Sequence, residues 1–344
     1  MIKIQNIYHM LAYAFQVLND DSYADIASEE FEHAGNLLAA ILSKGLANQL
    51  KRGLGREYLS VSETLSSPRG KIEIASSIQT KSILRRQLVC EYDEFSIDNY
   101  TNQIIKAAAL LLIRSDSIDR KQKKSLKKLM LYLSDVDEIN ANDIKWSNIR
   151  YHRNNATYKM LMNICYLIIE ALLPSEQEGQ RRMMQFKDDH MSRLYEKFVL
   201  EYYRKHYPAY KVSSSYIDWD IDDGIVDMLP NMKSDIMIEY NERILIIDTK
   251  YYSLTLQNNP LFDSRTIHSG NLYQIFAYVK NKDREHSGNV SGLLLYAKTD
   301  EVITPNNSYQ MDGNRISVKT LNLDKNFGDI QVQLEYIISE WLSC

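Results

Sequence analysis

The sequence predicts an α/β protein, with a mostly helical N-terminal domain that carries a β-hairpin finger and a C-terminal domain built on a mixed sheet. Apolar residues recur at helical spacing over much of the first half of the chain. In the second half, β-branched apolar runs alternate with helical segments, a pattern that favours a sheet flanked by helices. Because the stretch from Pro174 to Gly179 is polar throughout, we predict domains at residues 1–178 and 179–344.

Composition places the chain among soluble globular proteins. Its 344 residues leave room for two domains, and its formal net charge is −4. No overall positive field points to nucleic acid, so any DNA contact must use a local patch or a partner. We expect no signal peptide, no membrane span and no nucleotide bound by a P-loop on this chain.

The cysteines indicate the compartment. Cys90, Cys165 and Cys344 are odd in number, widely spaced and form no C-x-x-C pair. Neither a disulfide framework nor a zinc site is therefore predicted, and a reducing cytoplasm is expected.

The first domain is predicted to be helical except for one segment. Gly53 follows two basic residues and is expected to end the second helix. The apolar spacing predicts helices over residues 5–18, 31–50, 96–128 and 157–173.

The exception is the finger, residues 57–78, where the apolar period changes. Two short strands are predicted there, joined by an exposed loop from Ser66 to Gly70. A protruding finger and a plain surface hairpin are the two interpretations, and the residues alone slightly favour the plain hairpin.

A basic run, Arg120 to Lys128, lies within the third helix. A charge run on a helix is most often a solvated face, and we favour that interpretation here. A face that contacts phosphates is the alternative.

The second domain begins with a predicted helix over residues 189–206. The acidic segment 218–227 lacks the spacing of an EF-hand and is expected to be a solvated loop. The remaining predicted elements are a strand at 211–217, a mobile loop at 253–269, a helix at 271–280 and a strand at 290–298.

The stretch from Ser234 to Tyr252 predicts a hairpin that gathers charged residues. Two β-branched apolar runs flank a polar turn. If the turn centres on Asn241-Glu242, paired residues have numbers that sum to 483, which places Asp235 opposite Asp248. Lys250 follows Asp248 by two residues and shares its face. Asn-Glu is not the favoured Asn-Gly turn, but a longer loop with the same centre keeps this pairing.

Two carboxylates that share a small space repel each other unless a cation lies between them. Hard oxygen ligands suit Mg²⁺, which also takes phosphate oxygens and keeps waters. A nearby lysine can stabilise charge during phosphodiester hydrolysis. An ordinary Asp-Lys surface pair is the alternative. The apolar run that leads into Asp248 and the facing Asp235 favour a functional site, because unpaired charges at a buried strand end are costly.

These residues resemble the signature of the PD-(D/E)xK nucleases. More narrowly, the chain is similar to the McrC family, the nuclease subunit of the McrBC modification-dependent restriction system. The similarity extends over nearly the whole chain. It rests on Ile4–Ala14, Gly70–Ile72, Leu229-Pro230, Ser234-Asp235, Ile247–Tyr252, Asn271–Gln274 and Gly292–Tyr296.

The resemblance implies a restriction-endonuclease-like sheet domain that hydrolyses the phosphodiesters of double-stranded DNA with Mg²⁺. Asp235 and Asp248 would hold the metal, with the Thr249 carbonyl as a further ligand. Lys250 would assist the attacking hydroxide or the developing charge.

Two supporting residues also follow from the resemblance. Such nucleases often carry a glutamate on the helix before the first core strand, and Glu196 fits that position better than Glu201. Gln274 and Tyr278 match a Q-x-x-x-Y pattern, in which the glutamine orients the catalytic lysine or the metal.

The resemblance further implies a partner, an McrB-like AAA+ ring driven by GTP that recognises methylated DNA. The finger would insert into the channel of that ring, with Arg69 and Lys71 available for contacts there. GTP would bind the partner and not this chain, and self-association through the nuclease domain is left open. The alternatives are a self-sufficient RecB-like nuclease and a non-catalytic AAA+ adaptor, although the intact Asp235, Asp248 and Lys250 argue against the adaptor.

Overall fold

The computed structural model describes residues 2–149, 156–177, 188–252, 256–259, 264–298 and 304–343. The chain forms two compact units. The sheet unit comprises Met1–Ala34 together with Phe186–Cys344, and the inserted unit comprises Gly35–Gln185. This division differs from the predicted domains at 1–178 and 179–344, because the first 34 residues belong with the C-terminal part of the chain.

Helices occur in both units. In chain order, the α-helices are α1 Ile4–Ala14, α2 Ala24–Ser28, α3 Ala34–Arg52, α4 Ile74–Gln79, α5 Tyr100–Arg114, α6 Arg120–Met130, α7 Ala156–Gln177, α8 Asp188–His206, α9 Ser269–Lys282 and α10 Phe327–Leu342.

The strands divide between a small sheet in the inserted unit and larger pairings in the sheet unit. In chain order, they are β1 Glu57–Leu65, β2 Lys71–Ile72, β3 Leu88–Ser96, β4 Lys211–Ser213, β5 Tyr216–Ile217, β6 Met232–Lys233, β7 Ile236–Tyr240, β8 Arg243–Lys250, β9 Leu256–Asn259, β10 Ser264–Ile267, β11 Val290–Ala297, β12 Asn307–Met311 and β13 Asn314–Leu321.

A six-stranded sheet in the order β12-β13-β11-β8-β7-β4 forms the centre of the sheet unit. β11 pairs in parallel with both β8 and β13, and the other neighbours are antiparallel. The predicted mixed sheet is confirmed.

The hairpin β7–β8 has the predicted register. Ile236 pairs with Ile247 and Tyr240 with Arg243, so the paired numbers sum to 483. Asn241 and Glu242 form the two-residue turn with φ of 47° and 65°. Positive φ at both turn residues matches the twist of the flanking strands, and this hairpin achieves it without glycine.

Helix α9 packs directly on one face of this sheet. Its Ile275 and Val279 join a buried cluster with residues of β8, β11 and β13. Gly292 on β11 makes this close packing possible, because an added Cβ would lie 2.8 Å from Ile275 Cγ1 and from Val279 Cγ2. The face that α9 covers is the one that carries the charged end of β8.

Helix α1 explains why the first residues belong to the sheet unit. The Asn6 side chain donates to the carbonyls of Leu323 and Lys325 at 2.7 and 2.8 Å. The His9 ring stacks on Phe327, with 4.2 Å between centroids. These two partners of α1 lie more than 300 residues away in the sequence, and its packing partner α8 begins more than 170 residues away, so local patterning cannot indicate them.

In the inserted unit, the predicted hairpin within 57–78 is wrong. The sheet has the order β1-β3-β2, so the two expected strands are not neighbours. β1 pairs with β3 over nine residues, whereas β2 pairs with β3 over two. The longer ladder satisfies many more backbone groups, which is why β3 and not β2 lies beside β1.

Gly70 fits the chain closely against the middle of this sheet. It has φ of 69°, and an added Cβ would lie 2.6 Å from Tyr92 Cβ and against the carbonyl of Glu91. A glycine is needed at this position for both its conformation and its lack of a side chain.

Several other boundaries differ from the predictions. The expected helix over 96–128 is two helices, α5 and α6, and α7 continues past Pro174 to Gln177. The segment 253–269, expected to be a loop, contains the antiparallel pair β9–β10. Gly53 follows α3 with φ of 93°, as predicted for a helix end. In the part of the chain that the structure describes, no helix is both long and apolar enough to cross a bilayer.

Candidate functional site

Asp248 lies at the buried end of β8. The run before it is rich in β-branched apolar residues, which favour a buried strand, and β8 lies at the centre of the sheet between β7 and β11. Asp248 follows Ile246 by two residues and therefore lies on the face that α9 covers. Its side chain is only 2% exposed, and that of Lys250 is 15% exposed.

Asp235 directly precedes β7 at the same end of the hairpin. The ladder ends with the pair Ile236–Ile247, so the backbone of Asp235 is not paired with β8 and need not keep the strand conformation. Its Oδ2 accepts hydrogen bonds from the backbone N and the Oγ1 of Thr249, at 2.7 and 2.8 Å. These two bonds fix the carboxylate, and Oδ1 has no hydrogen bond within the described residues.

Lys250 connects the strand to α9. Its Nζ lies 2.6 Å from Asp248 Oδ2 and donates to Gln274 Oε1 at 3.0 Å. Gln274 Nε2 in turn donates to the Tyr278 hydroxyl at 2.9 Å. The chain of contacts runs from carboxylate to ammonium to amide to phenol, and it holds the ammonium at one position.

The charged groups at this site shift one another's pKa values. Burial raises the pKa of Asp248, and the neighbouring carboxylates of Asp235 and Glu196 raise it further, against the opposing effect of Lys250. Burial alone would lower the pKa of Lys250, but the Asp248 charge outweighs it, so the lysine pKa is raised. Lys250 therefore stays protonated, while Asp248 loses its proton less readily than an exposed aspartate.

The structure brings Glu196, and not Glu201, towards this cluster. Both lie on α8, but five residues of helix separate their directions by about 140°. Burial raises the pKa of Glu196, and the Asp235 charge raises it further. Glu201 instead forms an ion pair with Arg204 at 2.8 Å.

The donor set fits a magnesium ion better than a metal held entirely by protein. Among the described residues, no group of three or more His, Cys, Asp or Glu side chains is gathered as a metal cage. Mg²⁺ is usually held by one or two carboxylates together with waters and substrate phosphates. Asp235 and Asp248, with Glu196 nearby, place more negative charge here than Lys250 neutralises, and this excess favours a bound cation.

Sequence patterns did not indicate the hydrogen bonds from Thr249 to Asp235. Strand alternation places Thr249 on the opposite face from Asp248, and the family resemblance implied only a role for its carbonyl. The ladder ends one residue earlier than the pattern suggests, and this lets the Asp235 carboxylate reach the Thr249 amide and hydroxyl.

A second contact that the sequence did not indicate supports the helix side of the site. Asn271 Nδ2 donates to the Tyr296 hydroxyl at 2.9 Å, which joins the first turns of α9 to β11. Both residues belong to segments that carried the family resemblance, but nothing in their spacing indicated this pair.

The fold and the site together define a class of protein: an α/β domain whose mixed sheet carries a D…DxK site at the end of its central hairpin. The family model described as "McrBC 5-methylcytosine restriction system component" matches residues 4–297. The chain therefore belongs to this family, and the resemblance found in its sequence is confirmed.

Two known proteins are similar to this chain. The "Type IV methyl-directed restriction enzyme EcoKMcrBC" of Escherichia coli (strain K12) is 28% identical over 347 residues, 99% of each protein. A solved structure is described as a refined half-complex from a tetradecameric assembly of Thermococcus gammatolerans McrB AAA+ hexamers with bound McrC. The match to it covers 97% of this chain and 76% of that chain, with a TM-score of 0.53 and 16% identity, so the similarity is one of fold.

Proposed function

We propose that this chain is the DNA-cutting subunit of a restriction complex that acts on DNA containing modified cytosine and is driven by GTP. The observation that carries the proposal is the arrangement at the end of the central hairpin. Asp235, Asp248 and Lys250 lie together there, and Gln274 holds the lysine. The family description supplies the restriction system and the modified base.

The proposed reaction is hydrolysis of a DNA phosphodiester. Asp235 and Asp248 would hold Mg²⁺, with the Thr249 carbonyl and Glu196 in support. When bound, the metal supplies Lewis-acid activation of the phosphate and of a water. Thr249 keeps the Asp235 carboxylate in one orientation through its amide and hydroxyl, so this ligand needs no reorganisation.

Lys250 provides the positive charge that is fixed before substrate arrives. Because Asp248 and Gln274 already hold the ammonium in place, it needs no reorganisation when negative charge develops on the phosphate. Gln274 acts as a positioning residue through its bond to Lys250, and Tyr278 acts one step further away. The raised lysine pKa keeps this group charged at neutral pH.

The inserted unit would bind the partner. Its three-stranded sheet exposes the neighbouring aromatic pair Tyr58 and Phe95, which are 72% and 51% exposed with ring centroids 4.9 Å apart. Exposed aromatic side chains of this kind are enriched at protein interfaces. Because the solved relative contains McrB AAA+ hexamers with bound McrC, we propose an AAA+ GTPase ring as the partner here. This chain would stimulate its GTP hydrolysis.

The test is cleavage of a methylated duplex by the purified chain, with and without the partner, GTP and Mg²⁺. We expect cleavage only with all three. Cleavage by the chain and Mg²⁺ alone would instead support a self-sufficient nuclease. A complex that stimulates GTP hydrolysis but never cuts, under any divalent metal, would support a non-catalytic adaptor.

A pair of variants tests whether cleavage belongs to the sheet unit and partner binding to the inserted unit. Asp235→Asn should end cleavage and leave GTPase stimulation intact, because Asp235 lies in the sheet unit. Shortening the exposed loop from Ser66 to Gly70, with Gly70 itself kept, should weaken partner binding and stimulation, and lower cleavage only through that weakening. A pull-down and a GTPase assay on both variants decide the matter. Loss of stimulation in folded Asp235→Asn, or normal stimulation by the shortened loop, would contradict the division.

A further inference from the structure

Helix α6 of the inserted unit has a basic face that the proposed function leaves unexplained. The helix carries six cationic side chains and no acidic one. Five of them lie on one stripe at spacings of three and four residues, and with Leu131 they line a shallow groove. We name this stripe the basic face; its residues are Arg120, Lys123, Lys124, Lys127 and Lys128.

The basic face points away from the core of the inserted unit. At 100° per residue, the centre of the stripe lies about 150° from the midpoint of Gln122 and Leu126, the buried residues of the same helix. Four of the five cationic side chains are exposed, and Lys123 is half-buried. Among the described residues, none of the five forms an ion pair, so their charge is available to a ligand.

The start of the helix is anchored by polar contacts. Asn36 Nδ2 donates to Asp119 Oδ2 at 2.6 Å, and the Asp119 backbone N donates to Asn36 Oδ1 at 3.0 Å. The acidic residue next to the basic face is thereby engaged with α3. With Leu126 buried as well, the face is presented on a fixed support.

We propose that the basic face binds the phosphate backbone of a DNA duplex without reading its sequence. From Arg120 to Lys128 the helix rises about 12 Å, a length over which a duplex presents about seven phosphate charges. Five cations over that length are therefore comparable in number to the phosphates that a duplex presents, and they do not exceed them. Lysine binds phosphates as a point charge and lacks the planar, bidentate geometry of arginine, which suits contacts along the backbone that do not depend on sequence.

A protein partner suits this face less well. Interfaces between proteins are depleted in lysine, and their binding energy is concentrated in aromatic and arginine side chains. Four of the five charges are lysines, and among the described residues Leu131 is the only apolar one that lines the groove. The composition therefore favours a polyanion, although the formal net charge of the whole chain is −4.

The experiment measures binding of a labelled, unmodified duplex to the full chain in EDTA, by fluorescence anisotropy at several salt concentrations. EDTA prevents metal-dependent cleavage, so the result is independent of the nuclease proposal. We expect Lys124→Gln/Lys127→Gln/Lys128→Gln to bind roughly 10²-fold more weakly at low salt. The slope of log affinity against log salt should fall by about 2.7, because each of the three lysines should neutralise one phosphate and each neutralised phosphate contributes roughly 0.9 to the slope.

A matched control removes the same charge elsewhere in the inserted unit. Lys51→Gln/Arg52→Gln/Lys145→Gln replaces three exposed cations outside α6 and should keep the wild-type affinity and slope. Circular dichroism should show that both variants are folded. Equal affinity and slope in wild type and the α6 variant would overturn the proposal. So would an α6 variant that binds DNA normally but no longer stimulates the partner GTPase, since the face would then contact protein.

Discussion

The two units use positive charge in opposite ways. In the sheet unit, Lys250 is 15% exposed and has two partners, Asp248 and Gln274, within 3.0 Å. In the inserted unit, Lys124, Lys127 and Lys128 are exposed on α6, and no ion pair to them is found among the described residues. A buried charge needs fixed partners, whereas exposed charges act through their number and are screened by salt. Removal of one residue should therefore disable the first and only weaken the second.

The largest expected effect is on cleavage. Asp248→Ala and Lys250→Ala should each lower the cleavage rate by about 10²–10³-fold or more, because each removes a preorganised charge at the phosphate. The measurement is the cleavage rate with the partner, GTP and Mg²⁺ present, alongside a thermal melt that shows each variant is folded.

Asp222→Ala and Lys325→Ala are the matched controls for these two variants. Both replace exposed residues of the sheet unit with the same change of charge. Each should cleave at the wild-type rate. If folded Asp248→Ala or Lys250→Ala also cleaved at that rate, the hairpin would have no part in the mechanism.

The next largest effect concerns the support of the lysine. Gln274→Ala removes a hydrogen bond to a charged group, for which a cost of about 1.5–3 kcal/mol corresponds to roughly 10- to 100-fold in rate. Tyr278→Phe removes only the next bond in the chain and should cost tenfold or less. Cleavage rates at saturating DNA test this ranking, and a larger decrease from Tyr278→Phe than from Gln274→Ala would contradict it.

A smaller effect should appear in the stability of the metal-free protein. The folded-state pKa of Asp248 is raised above its unfolded value, so the folded state binds this proton more tightly. The contribution of Asp248 to stability therefore falls as pH rises from about 4, the unfolded pKa of an aspartate, towards the raised folded pKa. Asp248→Asn should lack this decline.

Urea unfolding in EDTA across this pH range compares the two proteins. Relative to Asp248→Asn, the wild type should lose stability as pH rises, by about 1.4 kcal/mol for each unit of pKa difference. Parallel stability curves for the two proteins would show that Asp248 ionises as it does in the unfolded chain.

The smallest effect is expected for Lys71, which is 71% exposed. It forms ion pairs with Glu73 at 2.5 Å and Glu91 at 3.4 Å. Because water and salt screen such surface pairs, Lys71→Ala should leave the melting temperature unchanged. A clear drop in the melting temperature would show that exposed charges in this unit are more than a solvated surface.

The hairpin shows what local sequence can determine. Its turn has only two residues, and Ile236 and Ile247 beside the site are fully buried, so one register satisfies both the turn and the core. Asp235, Asp248 and Lys250 follow from that register. Glu196 and Gln274 came from the family resemblance, because no local pattern connects α8 or α9 to the end of β8.

The inserted sheet shows what local sequence could not determine. β3 carries the exposed Asp93 and Glu94 in its outer half, so it lacks a continuous apolar run and was not recognised as a strand. With β3 missed, β2 became the apparent partner of β1. The exposed position of the basic run on α6, by contrast, was predicted correctly, because helical period alone separates it from Leu126.

The union of Met1–Ala34 with Phe186–Cys344 in one unit has a consequence for synthesis on the ribosome. Helix α1 is made before the inserted unit, whereas its partners at Leu323 and Phe327 are made after it. At 5–20 residues per second, the roughly 300 intervening residues take about 15–60 s to be made. During that time the packing of α1 is completed in stages, because α8 is made before the segment that holds Leu323 and Phe327. The inserted unit, Gly35–Gln185, is complete before α8 and can fold first. The nascent chain would thus hold a finished inserted unit while α1 is only partly packed, and an incompletely packed apolar helix is the kind of segment that chaperones bind.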